Sequence, residues 1–411
     1  MDLGAHFRCC DFQVHTPRDR NWSGDCPVRP GDRIAFAERF IAACRAKNLD
    51  AVAITDHHDA AFLPYIINAA QNERAPNGER ISPENRITIF PGLELTLGLP
   101  CQVLLIFDSE VDAAEIIGAL TVLGISPAPS AEPKSAETTR LEIRDLNTLR
   151  ERLAQNDALR DKFIILPNVN DRGSDSILRE GFFQHYRDMH CVGGYVDGEI
   201  AGHAKRQIID GNEEAWGLKK IGVIQTSDSR SADFSQLGAH PTWIKWSEPT
   251  AEAIRQACLS PASRLRYTQP ALPATWVSRI EVTASRYFGS FALDLNPQVN
   301  SIIGGRGSGK STILEYLRWA LCDQPYNEDV DAASEMPDYM RRRNSLISST
   351  LTTLGGEVSV HLMRNGVPHR IRRDGKSGSV YLRIGQQSEE VTTEEVVQGL
   401  AAVQGYSQKQ L

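Results

Sequence analysis

Two groups of residues in this 411-residue chain have the types and spacing that chemistry needs. The first is Gly304-Gly305-Arg306-Gly307-Ser308-Gly309-Lys310-Ser311, which satisfies G-x-x-x-x-G-K-[ST]. Glycines let backbone N–H groups curl around phosphate oxygens. Lys310 offsets the β/γ charge, Ser311 offers a hydroxyl to Mg²⁺, and a helix opening near Lys310 turns its positive end toward the phosphates. ATP and Mg²⁺ are therefore the expected ligands of Gly304 through Thr312.

The second group is spread over the first 230 residues. Asp11-Phe-Gln-Val-His15, Thr55-Asp-His-His-Asp59, Gly92-Leu-Glu94, Pro167-Asn-Val-Asn-Asp171 and Thr226-Ser-Asp-Ser-Arg230 each place ligand-type side chains where an apolar run ends. Asp, Glu and His gathered from several strand ends are what a hydrolytic metal centre is built from.

Those side chains need a scaffold that brings strand ends together. Short apolar runs at Ala51–Ile54, Ile87–Phe90, Val103–Phe107, Phe163–Leu166 and Gly222–Gln225 read as strands. Helical periodicity joins Ile34, Ala37, Phe40, Ile41 and Cys44 on one face, and Leu146, Leu149 and Leu153 on another. Alternating strands and helices predict a mostly parallel sheet or barrel with helices outside and the polar strand ends on one face. Ser126–Glu137, rich in Pro, Ser and Ala, reads as an exposed loop. Trp243 and Trp246 are expected on one face of a late strand, and Cys9-Cys10 as small buried residues. A boundary falls at Gln269–Thr275. Beyond it come strands at Ile280–Val282, Phe291–Leu295 and Val299–Ile303, the loop helix, an acidic excursion over Cys322–Asp338, and a hairpin of Glu357–Leu362 with His369–Arg373 through Asn365-Gly366.

Composition agrees with a soluble, multidomain protein. Hydrophobic residues are 41% and charged residues 24%, which excludes global disorder and coiled coil. No apolar run approaches the ~18 residues of a membrane span, and the N-terminus carries no secretory core, so the expected location is cytoplasmic, with no membrane partner. The eight cysteines form no C-x-x-C pair, which excludes a zinc ribbon or a disulfide scaffold. The net charge of -7 lies entirely in the first 272 residues, where 30 basic residues face 37 acidic ones. Nucleic acid, DNA or RNA, is thus expected to meet local patches such as Arg341-Arg342-Arg343 and Arg370, Arg372 and Arg373, rather than a broad basic face.

The polar strand ends carry a family resemblance. D-x-H-x-H, I-T-D-H, G-x-E and S-D-x-H mark the PHP (polymerase and histidinol phosphatase) superfamily, and Asp11–His15, Ile54–His57, Gly92–Glu94 and Ser227–Arg230 are similar to them in order and spacing over residues 1–270. Gly238-Ala-His-Pro-Thr-Trp-Ile-Lys245, Pro249-Thr and Ser260–Arg266 resemble the PHP-plus-ATPase proteins of the TrlF family. Phe288–Leu295, Asn300–Gly305 and Ile313–Leu317 resemble the N-terminal lobe of SMC/RecF-type ABC ATPases, over residues 276–411. There Tyr406–Leu411 looks like the Q-loop, with Gln408 as the glutamine that reaches Mg²⁺ and Gln410 as its alternative.

The resemblance implies a fold of class α/β: a PHP-like distorted (β/α) barrel followed by the first lobe of a P-loop ATPase. It also implies homo-oligomers formed through that lobe. Gln13, Gln102, Asn168 and Arg230 stand where the family carries imidazoles. Amides bind transition metals poorly and a cation repels them, so the resemblance implies one Mn²⁺, Zn²⁺ or Fe²⁺ rather than three, held by His15, His57, Glu94 and Asp228 with Gln13 as a weaker fifth ligand. No Walker B strand or signature motif follows Lys310 before the sequence stops, so ATP binding without efficient turnover is expected.

The function this implies is an ATP-gated, metal-dependent phosphoesterase or nuclease in nucleic-acid processing or phage defence. His57 is its ligand or general acid/base, and Arg230 its phosphate clamp. A non-catalytic binding or sensor platform controlled by ATP-driven dimerisation is the alternative.

Overall fold

A computed structural model describes residues 4–99, 101–135, 138–323, 338–401 and 403. The chain divides into two compact units, one of residues 5–270 and one carrying the residues from 271 onward.

In the first unit β1 (His6–Val14), β2 (Ala51–Ile54) and β3 (Thr88–Thr96) run parallel, and β4 (Gln102–Phe107) and β5 (Phe163–Pro167) continue the sheet antiparallel. β6 (Gly193–Asp197) and β7 (Gly222–Thr226) form a parallel pair, and β8 (Thr242–Trp246) and β9 (Leu265–Arg266) extend the sheet from β1. Parallel bridges Asn168↔Tyr195 and Val14↔Ser229 tie the β6–β7 pair to the ends of β5 and β1, curling the sheet into a distorted barrel. This is the expected architecture, with helices outside: Pro30–Ala46, Leu63–Gln71, Ala113–Val122 and Leu146–Ala154.

Alternation builds two cores on the sheet. Ala51 and Ala53 join Cys10, Phe12, Phe90, Ile244 and Trp246 on one side, while Val52 and Ile54 join Phe36, Phe40, Phe62 and the helices on the other. Phe12 and Phe90 lie 5.2 Å apart and Phe90 and Trp246 5.6 Å apart, filling the barrel with aromatic volume. Cys9 and Cys10 are both buried, as expected of small residues there, and burial pushes the Cys9 thiol up to about 12. Leu146, Leu149 and Leu153 are likewise buried on their helix.

Two side-chain expectations fail. Ile34 is 48% exposed, because the buried stripe of its helix runs through Arg33, Phe36, Ala37, Phe40, Ile41 and Cys44. Trp243 and Trp246 are three positions apart, so the two-residue strand period sends them to opposite faces, and only Trp246 is buried.

The loop at 126–135 exposes most of its side chains but is fixed through its backbone. Arg18, wholly buried and 2.5 Å from Asp59, donates to the carbonyls of Ala128, Pro129 and Glu132. Arg33 donates to those of Ser130 and Glu132, and Lys134 donates to the carbonyl of Asp19 at 2.7 Å.

In the second unit β10 (Thr275–Ser285), β11 (Gly289–Asp294), β12 (Glu357–Arg364), β13 (Val367–Asp374), β14 (Val380–Ile384) and β15 (Glu390–Thr392) form an antiparallel sheet ordered β11-β10-β12-β13-β14-β15. Ile280, Val282, Val358, Val360 and Ile371 pack with Tyr316, Ala320 and Leu321 of the loop helix and its C-terminal end, Ile347 of a second helix and Val397 of a third. Asn365 and Gly366 both take positive φ, the two-residue turn expected of the hairpin.

The expected strand at Val299–Ile303 is not one. Val299 is 83% and Ile303 92% exposed, and among the described residues no strand lies beside this segment to pair its backbone and cover its side chains. The acidic stretch falls mostly on 324–337, outside the described residues. No helix of the described residues is long and apolar enough to cross a membrane.

The helix Ala251–Leu259 can seat against β6 and β7 because Gly193 and Gly222, paired in register, carry no side chains. A Cβ on Gly222 would stand 2.4 Å from Cys258 Cα. Gly222→Ala is expected to destabilise the barrel by about 1–3 kcal/mol, since the obstacle is backbone that cannot turn aside. A melting temperature equal to that of the parent in a thermal scan would contradict this packing.

Candidate metal centre and phosphate loop

Because β1, β2 and β3 are parallel, their C-terminal halves deliver His15, His57 and Glu94 to one end of the barrel, and the turn after β7 adds Asp228 and Arg230. Backbone bonds set this register: His15 N–H donates to Ser229, Thr55 N–H to Val14 and Glu94 N–H to Asp56. Asp228 takes φ 46°, an uncommon conformation for a residue with a side chain.

Asp19, which lies beyond the strand ends noted in the sequence, organises the centre. Its Oδ2 is 2.9 Å from His57 Nδ1 and 3.2 Å from His15 Nδ1. The opposite ring nitrogens both face Glu94 Oε2, His15 Nε2 at 3.2 Å and His57 Nε2 at 3.6 Å. The rings stack 5.3 Å apart, tilted by only 14°. A carboxylate on one ring nitrogen that frees the other is the usual outer support of a metal-binding histidine. His15 Nε2 is also 3.2 Å from Asp228 Oδ1.

A metal fits these residues. Both ring nitrogens of His15 are buried and meet their carboxylates off the line that a hydrogen bond requires, which leaves them without a hydrogen-bond partner. The ligand atoms of His15, His57 and Glu94 lie within 4.8 Å of one another, as do those of His15, Asp19 and Asp56. Imidazole with carboxylate suits Zn²⁺, Mn²⁺ or Fe²⁺.

The electrostatics of the pocket are those of crowded opposite charges. Burial disfavours a charged His15, yet Asp19, Asp228 and Glu94 outweigh it and raise its pKa well above the usual histidine range. Burial opposes ionisation of Glu94, but His57, His15 and Arg230 bring it down to about 2. Asp19 is likewise held far below the ordinary carboxylate range, against its burial, by His15 and His57. Burial pushes Asp56 up to about 6, although Thr16 donates to it through N–H at 2.7 Å and Oγ1 at 2.6 Å. Burial and the neighbouring His57 bring His58 down to about 4.

The remaining residues singled out in the sequence are spread around this core. Gln13 donates from Nε2 to Glu94 at 3.2 Å and accepts from Thr226 Oγ1 at 2.6 Å, so its amide braces Glu94. Asn168 donates to Tyr195 Oη, which donates to Glu94 Oε1 at 3.5 Å. Gln102 pairs with Thr96 at the start of β4, away from the Glu94 row. Asp19 and Tyr195 were missed. The four-residue spacing from His15 to Asp19 was a legible signal for the first, whereas Tyr195 sits inside a strand with no motif of its own.

In the second unit Gly309 caps the loop helix in the left-handed conformation at φ 86°, and its missing Cβ makes room for the Phe288 ring. Lys310 Nζ folds back onto the carbonyls of Gly304 at 2.5 Å and Gly305 at 2.7 Å, and Ser308 Oγ donates to Gly305 at 2.9 Å. Arg306, Gly307 and Ser311 are exposed around it, and Thr312 is buried in the first turn. Gln408 and Gln410 lie outside the described residues. The basic clusters are largely paired. Arg372 meets Glu389 at 2.7 Å and Glu357 at 3.2 Å, Arg373 meets Glu394, and Arg343 lies 3.5 Å from Glu315.

Residues 279–401 match the AAA domain family. Among curated proteins no relative matches the chain. Two solved structures show a distant likeness. The lesion-specific endonuclease PfuEndoQ from Pyrococcus furiosus is 15% identical at TM-score 0.42, covering 70% of this chain and 64% of its own. PsfC from Pseudomonas syringae PB-5123 is 16% identical at TM-score 0.39, covering 62% of this chain and 90% of its own. The chain thus spans less than two thirds of the endonuclease.

Two expectations follow from these geometries. A metal must displace the proton that the surrounding carboxylates hold on His15, so binding should release protons and weaken as pH falls. Calorimetric titration in two buffers of different ionisation heat measures this, and identical heats would contradict it. Lys310→Ala removes the ammonium from the phosphate loop and should abolish Mg²⁺-ATP binding. An unchanged Kd by equilibrium titration would remove the loop's assignment.

Proposed function

We propose that the barrel is a metal-dependent phosphoesterase of nuclease type, controlled by ATP bound at the phosphate loop of the second unit. The observation that carries this reading is the convergence of two Asp19-oriented imidazoles on Glu94 in a buried pocket. A dication held by His15, His57, Glu94 and Asp228 would supply Lewis-acid polarisation of a phosphoryl oxygen and an acidified water.

The chain's own residues do the rest. Asp19 is hydrogen-bonded to the His57 ring and lies 3.2 Å from that of His15, and Gln13 and Tyr195 steady Glu94 from two sides. His57, 8% exposed against 1% for His15, lies nearer the pocket mouth and serves as a ligand of that dication or, with its Nε2 off the metal, as the proton donor to a leaving oxygen. Arg230, one-fifth exposed, faces the same mouth and can pair with a substrate phosphate.

The AAA domain match supports nucleotide binding by the second unit. In this reading ATP drives self-association through that unit and so gates the barrel, and the substrate is DNA or RNA. A second reading, a non-catalytic platform switched by ATP, is favoured by Arg230, whose ion pairs neutralise part of the pocket without any metal.

Metal analysis and a phosphodiester assay separate the two. Protein purified without chelator should carry about one equivalent of Mn, Zn or Fe. Hydrolysis of bis(p-nitrophenyl) phosphate with added Mn²⁺ should fall at least ~100-fold in Glu94→Gln, while ATP binding stays intact. No metal and no hydrolysis in the parent would decide for the platform.

A further inference from the structure

We infer that Arg230 is a tethered cation standing in place of a second metal ion, and that it limits the centre to one. The inference rests on the reading that the pocket takes a metal. The ligand-type side chains form two overlapping groups, His15 with His57 and Glu94, and His15 with Asp19 and Asp56. Arg230 touches an acid of each. Its Nη2 lies 3.6 Å from Glu94 Oε2 and its Nη1 3.5 Å from Asp19 Oδ1. Its strongest pairing is with Asp228, where Nε and Nη2 both stand 2.8 Å from Oδ1. One planar fork therefore joins three carboxylates.

The cation is delivered to a fixed place. Ser23 N–H donates to the Arg230 carbonyl at 2.8 Å, Ala232 N–H donates to the Ser23 carbonyl at 3.0 Å, and Ser229 is bonded to β1 on both its N–H and its carbonyl. A guanidinium is always charged and cannot step aside by losing a proton. A dication on Asp19 and Asp56 would share the Asp19 carboxylate with this guanidinium, and like charges on one carboxylate repel strongly in a pocket with little water. The His15–His57–Glu94 group offers two imidazoles against one in the second group, and imidazoles hold a transition metal beside a cation better than carboxylates do. The predicted result is one tight metal and one excluded.

The test is metal stoichiometry of the full chain, by equilibrium dialysis against Mn²⁺ and elemental analysis. Arg230→Ala and Arg230→Met, the latter keeping volume without charge, should each hold one equivalent more than the parent, while Arg230→Lys should match the parent. In chelator both uncharged variants should melt below the parent, and Mn²⁺ should recover most of the loss. Parent stoichiometry in both uncharged variants would overturn the inference and leave the proposed function untouched. A parent without metal would overturn the proposed function, while a gain of one equivalent in the variants would still support the role of Arg230.

Discussion

The barrel end depends on one carboxylate shared by two imidazoles. Asp19 is hydrogen-bonded to His57 Nδ1 and lies 3.2 Å from His15 Nδ1, and both Nε2 atoms face Glu94. Such a grouping is costly to bury unless opposite charges lie close, because each charge taken from water must find a partner. Its neighbours are arranged accordingly. Thr16 braces Asp56, Gln13 and Tyr195 brace Glu94, and Arg230 spans the acids on the open side. The parallel register of β1, β2 and β3 makes the grouping geometrically possible, and the aromatic filling of Phe12, Phe90 and Trp246 keeps those strands from shifting.

Much of this was legible in the residues themselves. His15, His57, Glu94 and Asp228 follow apolar runs with strand lengths, and strands that alternate with helices bring their ends to one face. Asp19 follows no apolar run, so its one signal was the four-residue spacing from His15, and the folded path brings it under both rings. The role of Gln13 was hidden for a related reason. An amide can accept or donate, and only the neighbouring Thr226 hydroxyl and Glu94 carboxylate show which end faces which partner.

Period errors and missing neighbours account for the other differences. Trp243 and Trp246 were assigned to one face by proximity in sequence, whereas an odd spacing on a strand separates them. Val299–Ile303 has the composition of a strand but no neighbour among the described residues to complete it, so composition alone did not make it one. The glycine-rich loop before Lys310 needed no such context to form its turn. Its glycines, Lys310 and the helix that follows are local features, and the loop closes on its own lysine through the Gly304 and Gly305 carbonyls.

The loop over 126–135 is held by Arg18 and Arg33 through backbone carbonyls of residues 128, 129, 130 and 132. Carbonyl oxygens are common to every amino acid, so the anchoring does not depend on which residues occupy those four positions. Their identities can drift without loosening the segment that carries Asp19, whereas the two arginines cannot be exchanged, since no other side chain reaches several carbonyls with one rigid fork. The wall beside the candidate metal centre is thus a surface that can change its outward character, in charge, size or polarity, while the residues behind it stay in place.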